Sequence, residues 1–274
     1  MEKKIVFLDI DGTLTRPGQN VPPDSALSAI RTAQQNGHII CLCSGRNYNM
    51  LLPLAQYRFD GLIASAGGYI ECQGQVLYDC PMTPSQQQKV LETLAGSGLF
   101  YTLECKDGSF TSDGFKEFLR STTSGGSEML RWQEQLEKNL NVSLMSQYRG
   151  EPVYKVSFSC VSESQIQEPL RLFGEEFQFC LQEPNPIGIL HGELINRRFN
   201  KGTGVRRLCS HLNIPLEDSI GFGDSMNDLE MIETVGLGVC MENGCQALKQ
   251  RADDICPAVT DDGLAKAFRK YGLI

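Results

Sequence analysis

Two aspartates separated by a single residue follow an apolar run near the start of the chain. The run IVFL at residues 5–8 leads directly into Asp9 and Asp11, within the segment KKIVFLDIDGTLT. Charged groups at the end of a buried strand are costly unless they are paired, hydrogen-bonded or bound to a metal ion, and two like charges this close raise each other's pKa. A bound cation, or a reaction that uses two carboxylates, would explain the pair, and so would a surface turn.

Three further polar clusters stand next to apolar or helical segments, in IICLCSGR, FNKGTG and GFGDSMND. Their candidate functional residues are Ser44, Gly45, Lys201, Asp224, Asn227 and Asp228. Each cluster alone is compatible with an ordinary turn or a solvated surface. Because ligands of parallel α/β sheets bind beyond the carboxyl ends of the strands, the joint occurrence of these clusters favours one shared site.

The first and last thirds of the chain contain the elements that would position these residues. KKIVFLD, HIICLCSGR and FDGLIASAGG have the continuous apolar runs of buried strands. PPDSALSAIRTAQQNG has apolar residues at helical spacing between early prolines and a glycine stop, and the last third repeats this rhythm. Strands and helices that alternate with short links predict a parallel sheet with right-handed crossovers, followed after FDGLIASAGG by a hairpin that turns at Gln73-Gly74.

The middle of the chain, from about Pro81 to Ile187, has a different pattern. Segments such as VYKVSFSC alternate polar and apolar residues, and SEMLRWQEQLEKNL and SESQIQEPLRLF have helical patterns. Alternation predicts a sheet with one solvated face. We therefore expect an α/β insert, bounded by the proline-containing segments DCPMTP and EPNPIG.

Composition narrows the class of protein. The net charge is −8 and the pI is about 5.0, and no basic stretch follows a nucleic-acid backbone, which disfavours nucleic-acid binding. The 11 cysteines form no C-x-x-C pairs and most have apolar neighbours, as reduced cysteines in a cytosolic core do. The sequence starts without a signal-peptide pattern and has no apolar run of membrane-spanning length, so we expect a soluble cytoplasmic protein that binds no membrane.

With these motifs in this order, the sequence resembles the haloacid dehalogenase (HAD) superfamily of phosphotransferases. It is most similar to the Cof-type phosphatases, whose α/β cap lies between the second and third motifs. DIDGT at residues 9–13 matches the first motif, Ser44 the second, Lys201 the third and GDSMND the fourth. One departure is Ala66 in SAGGYI, where members of this family often carry asparagine.

The resemblance implies a fold and a division of the chain. The expected fold is a Rossmann-like α/β core with a parallel sheet and an inserted α/β cap. The core would comprise residues 1–80 and 188–274 and carry the catalytic residues. The cap would comprise residues 81–187 and determine substrate specificity.

The resemblance also implies a reaction, the hydrolysis of a phosphomonoester through an aspartyl-phosphate. Asp9 would be the nucleophile and Asp11 the general acid and base, a role that requires a raised pKa. The implied cofactor is Mg²⁺, held by Asp9, the backbone carbonyl of Asp11, and Asp224. The remaining implied roles are phosphate binding by Ser44, Gly45, Lys201 and Asn227, and support of the site by Asp228 and Thr13.

Three functions compete on this evidence. The first is a phosphatase acting on a small phosphorylated metabolite, such as a sugar phosphate, a nucleotide or a phosphorylated cofactor, as a monomer or weak homo-oligomer. A phosphomutase of the phosphomannomutase type would need a basic phosphate site in its cap, where this sequence has only scattered Lys and Arg. A non-catalytic phospho-ligand-binding regulator would usually lack a motif residue.

Candidate cap contacts are Glu104, Lys106, Arg149, Tyr154 and Lys155, and His191 is interpreted as structural.

Overall fold

The computed structural model describes residues 3–115, 118, 142–181 and 189–274. The chain divides into two compact units. The core unit contains Met1–Arg46, Leu51–Asp79 and Phe199–Ile274, and the insert unit contains Asn47–Met50 and Cys80–Arg198.

Strands and helices alternate along the core unit and are mixed in the insert unit. The strands are β1 (Ile5–Leu8), β2 (Ile39–Cys43), β3 (Gly61–Ala64), β4 (Tyr69–Cys72), β5 (Gln75–Asp79), β6 (Phe100–Cys105), β7 (Ser109–Thr111), β8 (Val142–Leu144), β9 (Val153–Cys160), β10 (Phe177–Leu181), β11 (Leu190–Asn196), β12 (Ser219–Gly223), β13 (Leu237–Met241) and β14 (Asp254–Cys256). The α-helices are α1 (Asp24–Gln35), α2 (Tyr48–Leu51), α3 (Pro84–Ser97), α4 (Ser164–Phe173), α5 (Lys201–Leu212), α6 (Leu229–Ile232), α7 (Gln246–Lys249) and α8 (Gly263–Lys270).

The core unit is built on an eight-stranded sheet with the order β14-β13-β12-β1-β2-β3-β4-β5. The pairs from β14 to β3 are parallel, and β4 and β5 extend the sheet in antiparallel fashion. In the centre, Leu8 at the end of β1 lies between Phe222 and Leu42. The residues that follow these three positions therefore emerge at the same edge of the sheet, and the predicted α/β fold with a parallel-sheet core is confirmed.

Helices cover both faces of this sheet. On one face, Phe7 and Ile63 pack in a cluster with Val205 of α5 and Met231 of α6. Helices α1 and α8 pack against each other, and the ring of Phe268 in α8 lies 5.8 Å from that of Phe222, between centroids. Burial on both faces explains why the core strands are apolar without alternation.

The predicted hairpin at Gln73-Gly74 is present between β4 and β5. Both turn residues have positive φ, 51° at Gln73 and 79° at Gly74. Two-residue hairpin turns of this kind match the right-handed twist of the strands, and glycine adopts the second position without steric cost.

The insert unit has a six-stranded sheet with the order β10-β11-β9-β6-β7-β8. Its pairs are antiparallel except for β7 with β8. One face of this sheet packs on α3 and α4, with Leu103 and Val156 among its residues and Val90 and Phe173 among those of the helices. The predicted helix in SEMLRWQEQLEKNL and the predicted linker EPNPIG lie outside the described residues.

Two details of the insert differ from the sequence prediction. The expected solvated face is wrong for β9, because all eight of its residues are buried, including Lys155 and Ser157. Alternation identifies the two faces of a strand, but it does not show whether the polar face meets water. The insert unit also continues to Arg198, beyond the predicted boundary at residue 187, since β11 pairs with both β9 and β10.

All 11 cysteines are free thiols, and eight of them are buried. This distribution is the one expected of reduced cysteines that pack as small apolar side chains. Within the described part of the chain, no helix combines the length and apolarity that a membrane span requires.

Candidate active site

Three elements of the core unit place the principal site residues. Asp9 follows β1 and Asp224 follows β12, which is paired with β1. Lys201 is the first residue of α5, and a capping box fixes the start of this helix. Thr203 N donates to Asn200 Oδ1 at 2.8 Å, and Asn200 N donates to Thr203 Oγ1 at 2.9 Å. The capping box satisfies two backbone N–H groups that would otherwise lack partners and thereby fixes the position of Lys201.

The loop after β12 is organised by Asp228. Its Oδ2 atom accepts hydrogen bonds from the backbone N–H groups of Asp224 (3.0 Å) and Ser225 (3.2 Å). The side chain of Asp228 is completely buried. These bonds close the loop and fix the backbone from which the Asp224 carboxylate projects.

Lys201 joins the two aspartate motifs. Its Nζ atom donates to Asp9 Oδ1 at 2.7 Å and also to Asp228 Oδ1, and Asn227 Oδ1 lies 3.4 Å away. The lysine is only 1% exposed. The structure therefore brings together Asp9, Lys201, Asn227 and Asp228.

Burial and mutual repulsion perturb the charges of this cluster. Burial, the Asp228 carboxylate and, more weakly, Asp11 raise the pKa of Asp9 to about 7, although Lys201 opposes the shift. Burial, with Asp9 and Asp228, raises the pKa of Asp224 to about 9. Burial lowers the pKa of Lys201, but Asp228 and Asp9 outweigh it and hold the pKa well above its ordinary value. The ammonium group of Lys201 therefore does not neutralise the carboxylates of Asp9, Asp224 and Asp228 when all three are ionised.

The donor set suits a hard divalent cation. Carboxylate oxygens of Asp9, Asp224 and Asp228 lie within 4.8 Å of one another. Since both oxygens of Asp228 already accept hydrogen bonds, Asp9 and Asp224 have more oxygen atoms available to a cation, and their role as ligands stays a prediction. Mg²⁺ prefers oxygen ligands of this type, and its charge would favour the ionised forms of both groups.

Gly12 allows the first and fourth motifs to approach each other closely. Its φ is +88°, and a Cβ built on it would lie 2.2 Å from Asp224 Oδ2. Any other residue would collide with the carboxylate and strain the turn. The glycine of DIDGT is therefore required sterically by the position of Asp224.

The predicted catalytic residue Asp11 is held by Arg46, a residue of the predicted Ser44-Gly45-Arg46 cluster that was given no role of its own. Arg46 donates from Nε to Asp11 Oδ2 (2.8 Å) and from Nη2 to Asp11 Oδ1 (2.7 Å), and Gly18 N also donates to Oδ1 (2.8 Å). The arginine is 1% exposed and is further bound by the Asn20 side chain. This two-pronged contact favours an ionised carboxylate, whereas the predicted acid role requires a protonated one. The feature of the sequence that could have indicated this contact is the arginine directly after Ser44-Gly45.

The loop after β3 supports the second and third motifs. Ala66 N donates to Ser44 O at 3.0 Å, and Ser65 N donates to Arg46 O at 2.7 Å. Gly67 lies so close to the third motif that a Cβ on it would be 2.4 Å from Asn200 O. Ser65 and Ala66 have left-handed φ values of 50° and 56°, a conformation that asparagine adopts more readily than alanine. The asparagine expected from the resemblance would therefore adopt this backbone conformation with less strain than Ala66 does.

The remaining predicted residues lie around the same edge of the sheet. Ser44 directly follows β2 and is buried, and its Oγ accepts from Arg46 N at 3.2 Å. Gly45 is the partly exposed residue of the same turn. Thr13 is buried, but among the described residues its hydroxyl has no hydrogen-bond partner, so its supporting role stays a prediction.

Asn243, from the loop after β13, is a second residue that the sequence analysis missed. Its Nδ2 donates to Gly12 O at 2.8 Å, and its Oδ1 accepts from Val259 N at 2.9 Å. Cys245 N of the same loop donates to Asp224 O at 2.8 Å. The only signal was an Asn-Gly pair after a strand, which ordinarily indicates no more than a turn.

The chain belongs to the haloacid dehalogenase-like hydrolases. The model of this family matches residues 6–268, which includes every motif described above. The superfamily predicted from the sequence is confirmed, and so is the enzyme class of hydrolase.

Known relatives match along nearly the whole chain. YkrA of Bacillus subtilis (strain 168), whose name gives its phosphatase activity as provisional, is 26% identical over 276 residues, 100% of both chains. An HMP-PP phosphatase of Yersinia pseudotuberculosis serotype I (strain IP32953) is 27% identical over 252 residues, 90% of this chain and 86% of that protein.

Solved structures show the same fold. A protein of Geobacillus kaustophilus HTA426 described as hypothetical superposes with a TM-score of 0.82 at 24% identity over 100% of both chains. The HAD subclass IIB sugar phosphatase BT4131 gives 0.79 at 20% identity, covering 99% of this chain and 100% of its own. At such identities these neighbours are evidence for the fold alone.

We expect the substitution Gly12→Ala to abolish Mg²⁺ binding in a protein that still folds. The added Cβ must displace the Asp224 carboxylate, and the left-handed turn adds about 1–2 kcal/mol of strain. Thermal unfolding with and without Mg²⁺ measures the effect. At 100 times the dissociation constant the wild type should gain about 2.7 kcal/mol, and the variant should gain nothing.

Gly37→Ala is the matched control for this prediction. Gly37 has a similar φ of +90°, but nothing lies within 4 Å of the position that a Cβ on it would occupy. The control should therefore lose stability through strain and keep the full gain from Mg²⁺. An equal Mg²⁺ gain in both variants would show that Gly12 is not required for the metal site.

Proposed function

We propose that this protein is a Mg²⁺-dependent phosphatase that hydrolyses small phosphomonoesters through an aspartyl-phosphate on Asp9. The observation that carries the proposal is the buried contact of Lys201 with both Asp9 and Asp228, next to Asp224. The family supports a hydrolase, and the names of the two relatives supply the phosphatase activity.

In the first half of the proposed reaction, a carboxylate oxygen of Asp9 attacks phosphorus and the bond to the leaving oxygen breaks. Burial raises the pKa of Asp9 and Lys201 opposes that rise, and a bound Mg²⁺ would favour the ionised carboxylate further, so the nucleophile would need no separate base. The leaving oxygen takes a proton from Asp11. This step needs the protonated form of Asp11, whereas the contact with Arg46 favours the ionised form.

In the second half, Asp11 removes a proton from water while the water oxygen attacks phosphorus. The acyl-phosphate bond breaks, which regenerates the Asp9 carboxylate and releases inorganic phosphate. This step uses the ionised form of Asp11, which the hydrogen bonds from Arg46 favour and orient. Arg46 is therefore a positioning residue for Asp11.

Charge compensation accounts for the other proposed roles. A bound Mg²⁺ would be held by Asp9, Asp224 and the carbonyl of Asp11, and it would neutralise negative charge on the phosphoryl oxygens. Lys201, Asn227, Ser44 and the Gly45 amide would contact the phosphate oxygens, as preorganised donors do in phosphoryl transfer. Asp228 fixes Lys201 through a direct contact.

We further propose that the core unit performs the chemistry and that the insert unit selects the substrate, a small phosphorylated metabolite. All proposed catalytic residues belong to the core unit. The phosphomutase alternative is less favoured. In the described part of the insert, the buried lysine Lys155 is paired with Glu104 and Glu193, and these carboxylates oppose the binding of a second phosphate.

We expect Asp9→Asn to abolish turnover and leave the fold intact. The amide has the shape of the carboxylate but cannot form the phosphoenzyme, so kcat should fall below about one per cent of the wild-type value. Release of inorganic phosphate measures activity, and circular dichroism checks the fold. Asp218→Asn, which removes a surface carboxylate paired with Lys4, should retain full activity. If freshly purified Asp9→Asn without deamidation kept a kcat above about one per cent of the wild-type value, Asp9 would be excluded as the nucleophile.

Removal of divalent metal should abolish activity, and Mg²⁺ should restore it. Ca²⁺ should not, because it takes about 6–8 ligands at longer distances and would disturb the positions of Asp9 and Asp224. Phosphate release after exhaustive chelation, followed by titration with each ion, provides the measurement. Full activity in the chelated protein would contradict the metal requirement.

Arg46→Lys should slow the hydrolysis of alkyl phosphates much more than that of p-nitrophenyl phosphate. Lysine keeps the charge but loses the two-pronged contact that orients Asp11, and only the poor alkyl leaving group depends strongly on proton transfer. We expect kcat to fall by about 10-fold or more for the alkyl ester and by less than about 3-fold for the aryl ester.

Arg31→Lys, on the exposed surface of α1, is the matched control and should change neither rate. Equal losses on both esters would mean that Arg46 contributes to folding or phosphate binding rather than to the position of Asp11.

A further inference from the structure

The loop after β13 contacts both aspartate motifs of the candidate active site, although the proposed reaction gives it no role. Asn243 Nδ2 donates to Gly12 O of the first motif at 2.8 Å, and Cys245 N donates to Asp224 O of the fourth motif at 2.8 Å. All of these residues belong to the core unit. We refer to Asn243, Gly244 and Cys245 as the 243–245 loop, and it joins the two segments that carry the proposed metal ligands.

In the first motif, the peptide groups on both sides of Gly12 are hydrogen-bonded. Gly12 N donates to Thr15 O at 2.8 Å. Because the N–H and C=O groups of a trans peptide point in opposite directions, this bond orients the carbonyl of Asp11, a proposed metal ligand. Gly12 O accepts from Asn243. Since glycine is conformationally permissive, these two hydrogen bonds restrict a turn that its own backbone preference would leave loose.

In the fourth motif, Asp224 is held through both of its backbone polar groups. Its N–H donates to Asp228 Oδ2 at 3.0 Å, and its carbonyl accepts from Cys245 N. Its carboxylate lies against Gly12, where an added Cβ would be 2.2 Å from Oδ2. A shift of either motif therefore changes the distance between the Asp224 carboxylate and the proposed ligands of the first motif.

Gly244 allows the 243–245 loop to approach Asp224 this closely. A Cβ built on Gly244 would lie 2.7 Å from Asp224 O and 2.7 Å from Cys240 Sγ. The loop is turned tightly at this point, since Gly244 N donates to Met241 O at 2.8 Å. A larger residue would displace the loop and with it the hydrogen bond to the fourth motif.

The 243–245 loop is also anchored to parts of the core unit outside the two motifs. Asn243 Oδ1 accepts from Val259 N at 2.9 Å, and Cys245 O accepts from Lys249 N at 3.1 Å where α7 begins. Asn243 therefore uses one side-chain donor and one side-chain acceptor at the same time. Among the side chains of this size only an amide offers both, since aspartate lacks the donor when it is ionised.

We propose that Asn243 is a positioning residue for the metal site, and that its side chain sets the affinity for Mg²⁺ by fixing the first motif relative to Asp224. Mg²⁺ demands near-ideal octahedral geometry, so a displaced ligand weakens its binding. Partners that orient metal ligands without binding the metal commonly have this effect. The proposal rests on the Mg²⁺-dependent function proposed above and adds a residue outside the four motifs on which the metal site depends.

The first test separates position from charge. Asn243→Asp has the same shape and keeps an acceptor for Val259 N, but it presents a carboxylate oxygen to Gly12 O where the amide donated. The added negative charge by itself would tighten the binding of Mg²⁺, whereas loss of the contact with Gly12 should weaken it. We expect the dissociation constant for Mg²⁺ to rise by about 10-fold or more.

The measurement needs no substrate. Isothermal titration calorimetry of the full-length protein with Mg²⁺ gives the dissociation constant, and thermal unfolding with and without Mg²⁺ checks it. Gln246→Glu is the matched control, because it adds the same charge on an exposed residue at the start of α7. Exposed charges are largely screened by salt, so its dissociation constant should stay within about 3-fold of the wild-type value.

The second test removes the contact with the fourth motif. Cys245 has a φ of −70°, which proline adopts without strain, and proline has no N–H to donate to Asp224 O. The Cys245 side chain is exposed, so Cys245→Pro acts through the backbone. We expect it also to raise the dissociation constant for Mg²⁺ by about 10-fold or more. This variant decides the test if Asn243→Asp does not fold.

Kinetics distinguish a positioning role from a catalytic or a purely structural one. At Mg²⁺ concentrations far above its raised dissociation constant, Asn243→Asp should recover a kcat within about 3-fold of the wild-type value, with KM for p-nitrophenyl phosphate unchanged. A purely structural role would lower the unfolding temperature of the chelated protein and leave the dissociation constant for Mg²⁺ as it is.

The outcomes separate this inference from the proposed function. If the wild type binds no Mg²⁺ and releases no phosphate from any ester, the proposed function fails together with the inference. If the wild type binds Mg²⁺ and hydrolyses esters, but folded Asn243→Asp binds Mg²⁺ as tightly as the wild type or more tightly, the inference is overturned while the function stands. A kcat for Asn243→Asp that stays below about one tenth of the wild-type value at saturating Mg²⁺ would overturn it as well.

Discussion

The site depends on one buried positive charge, the ammonium group of Lys201. It contacts Asp9 and Asp228 at the carboxyl edge of the core sheet, where water cannot screen the carboxylates. Like charges could not be held this close without it, since each buried carboxylate raises the pKa of the next. The capping box at Asn200 and the backbone hydrogen bonds to Asp228 fix the positions of these charged groups.

Backbone strain in the loop after β3 is linked to the positions of the site residues. Ser65 and Ala66 both adopt left-handed backbone conformations, which cost about 1–3 kcal/mol each for such residues. Their N–H groups bind carbonyl groups of Arg46 and Ser44, while Gly67 lies against Asn200. The strained loop thereby fixes the turn at Ser44-Gly45 and the start of α5 relative to each other.

The two units each contain a similar buried cluster of charges. In each, a buried lysine contacts two carboxylates, Lys201 in the core unit and Lys155 in the insert unit. The core cluster has a further carboxylate, Asp224, and its three carboxylates could together hold a metal ion.

The α/β class, the hairpin, the motif residues and the superfamily could all be predicted from the sequence, because apolar periodicity and short polar motifs at strand ends are local properties. Which groups meet across the sheet became known only from the tertiary structure. The contact between Arg46 and Asp11, the support of Gly12 by Asn243 and the burial of the alternating face of β9 all join segments distant in the chain. Sequence spacing carries no information on such contacts, since they depend on strand order and register.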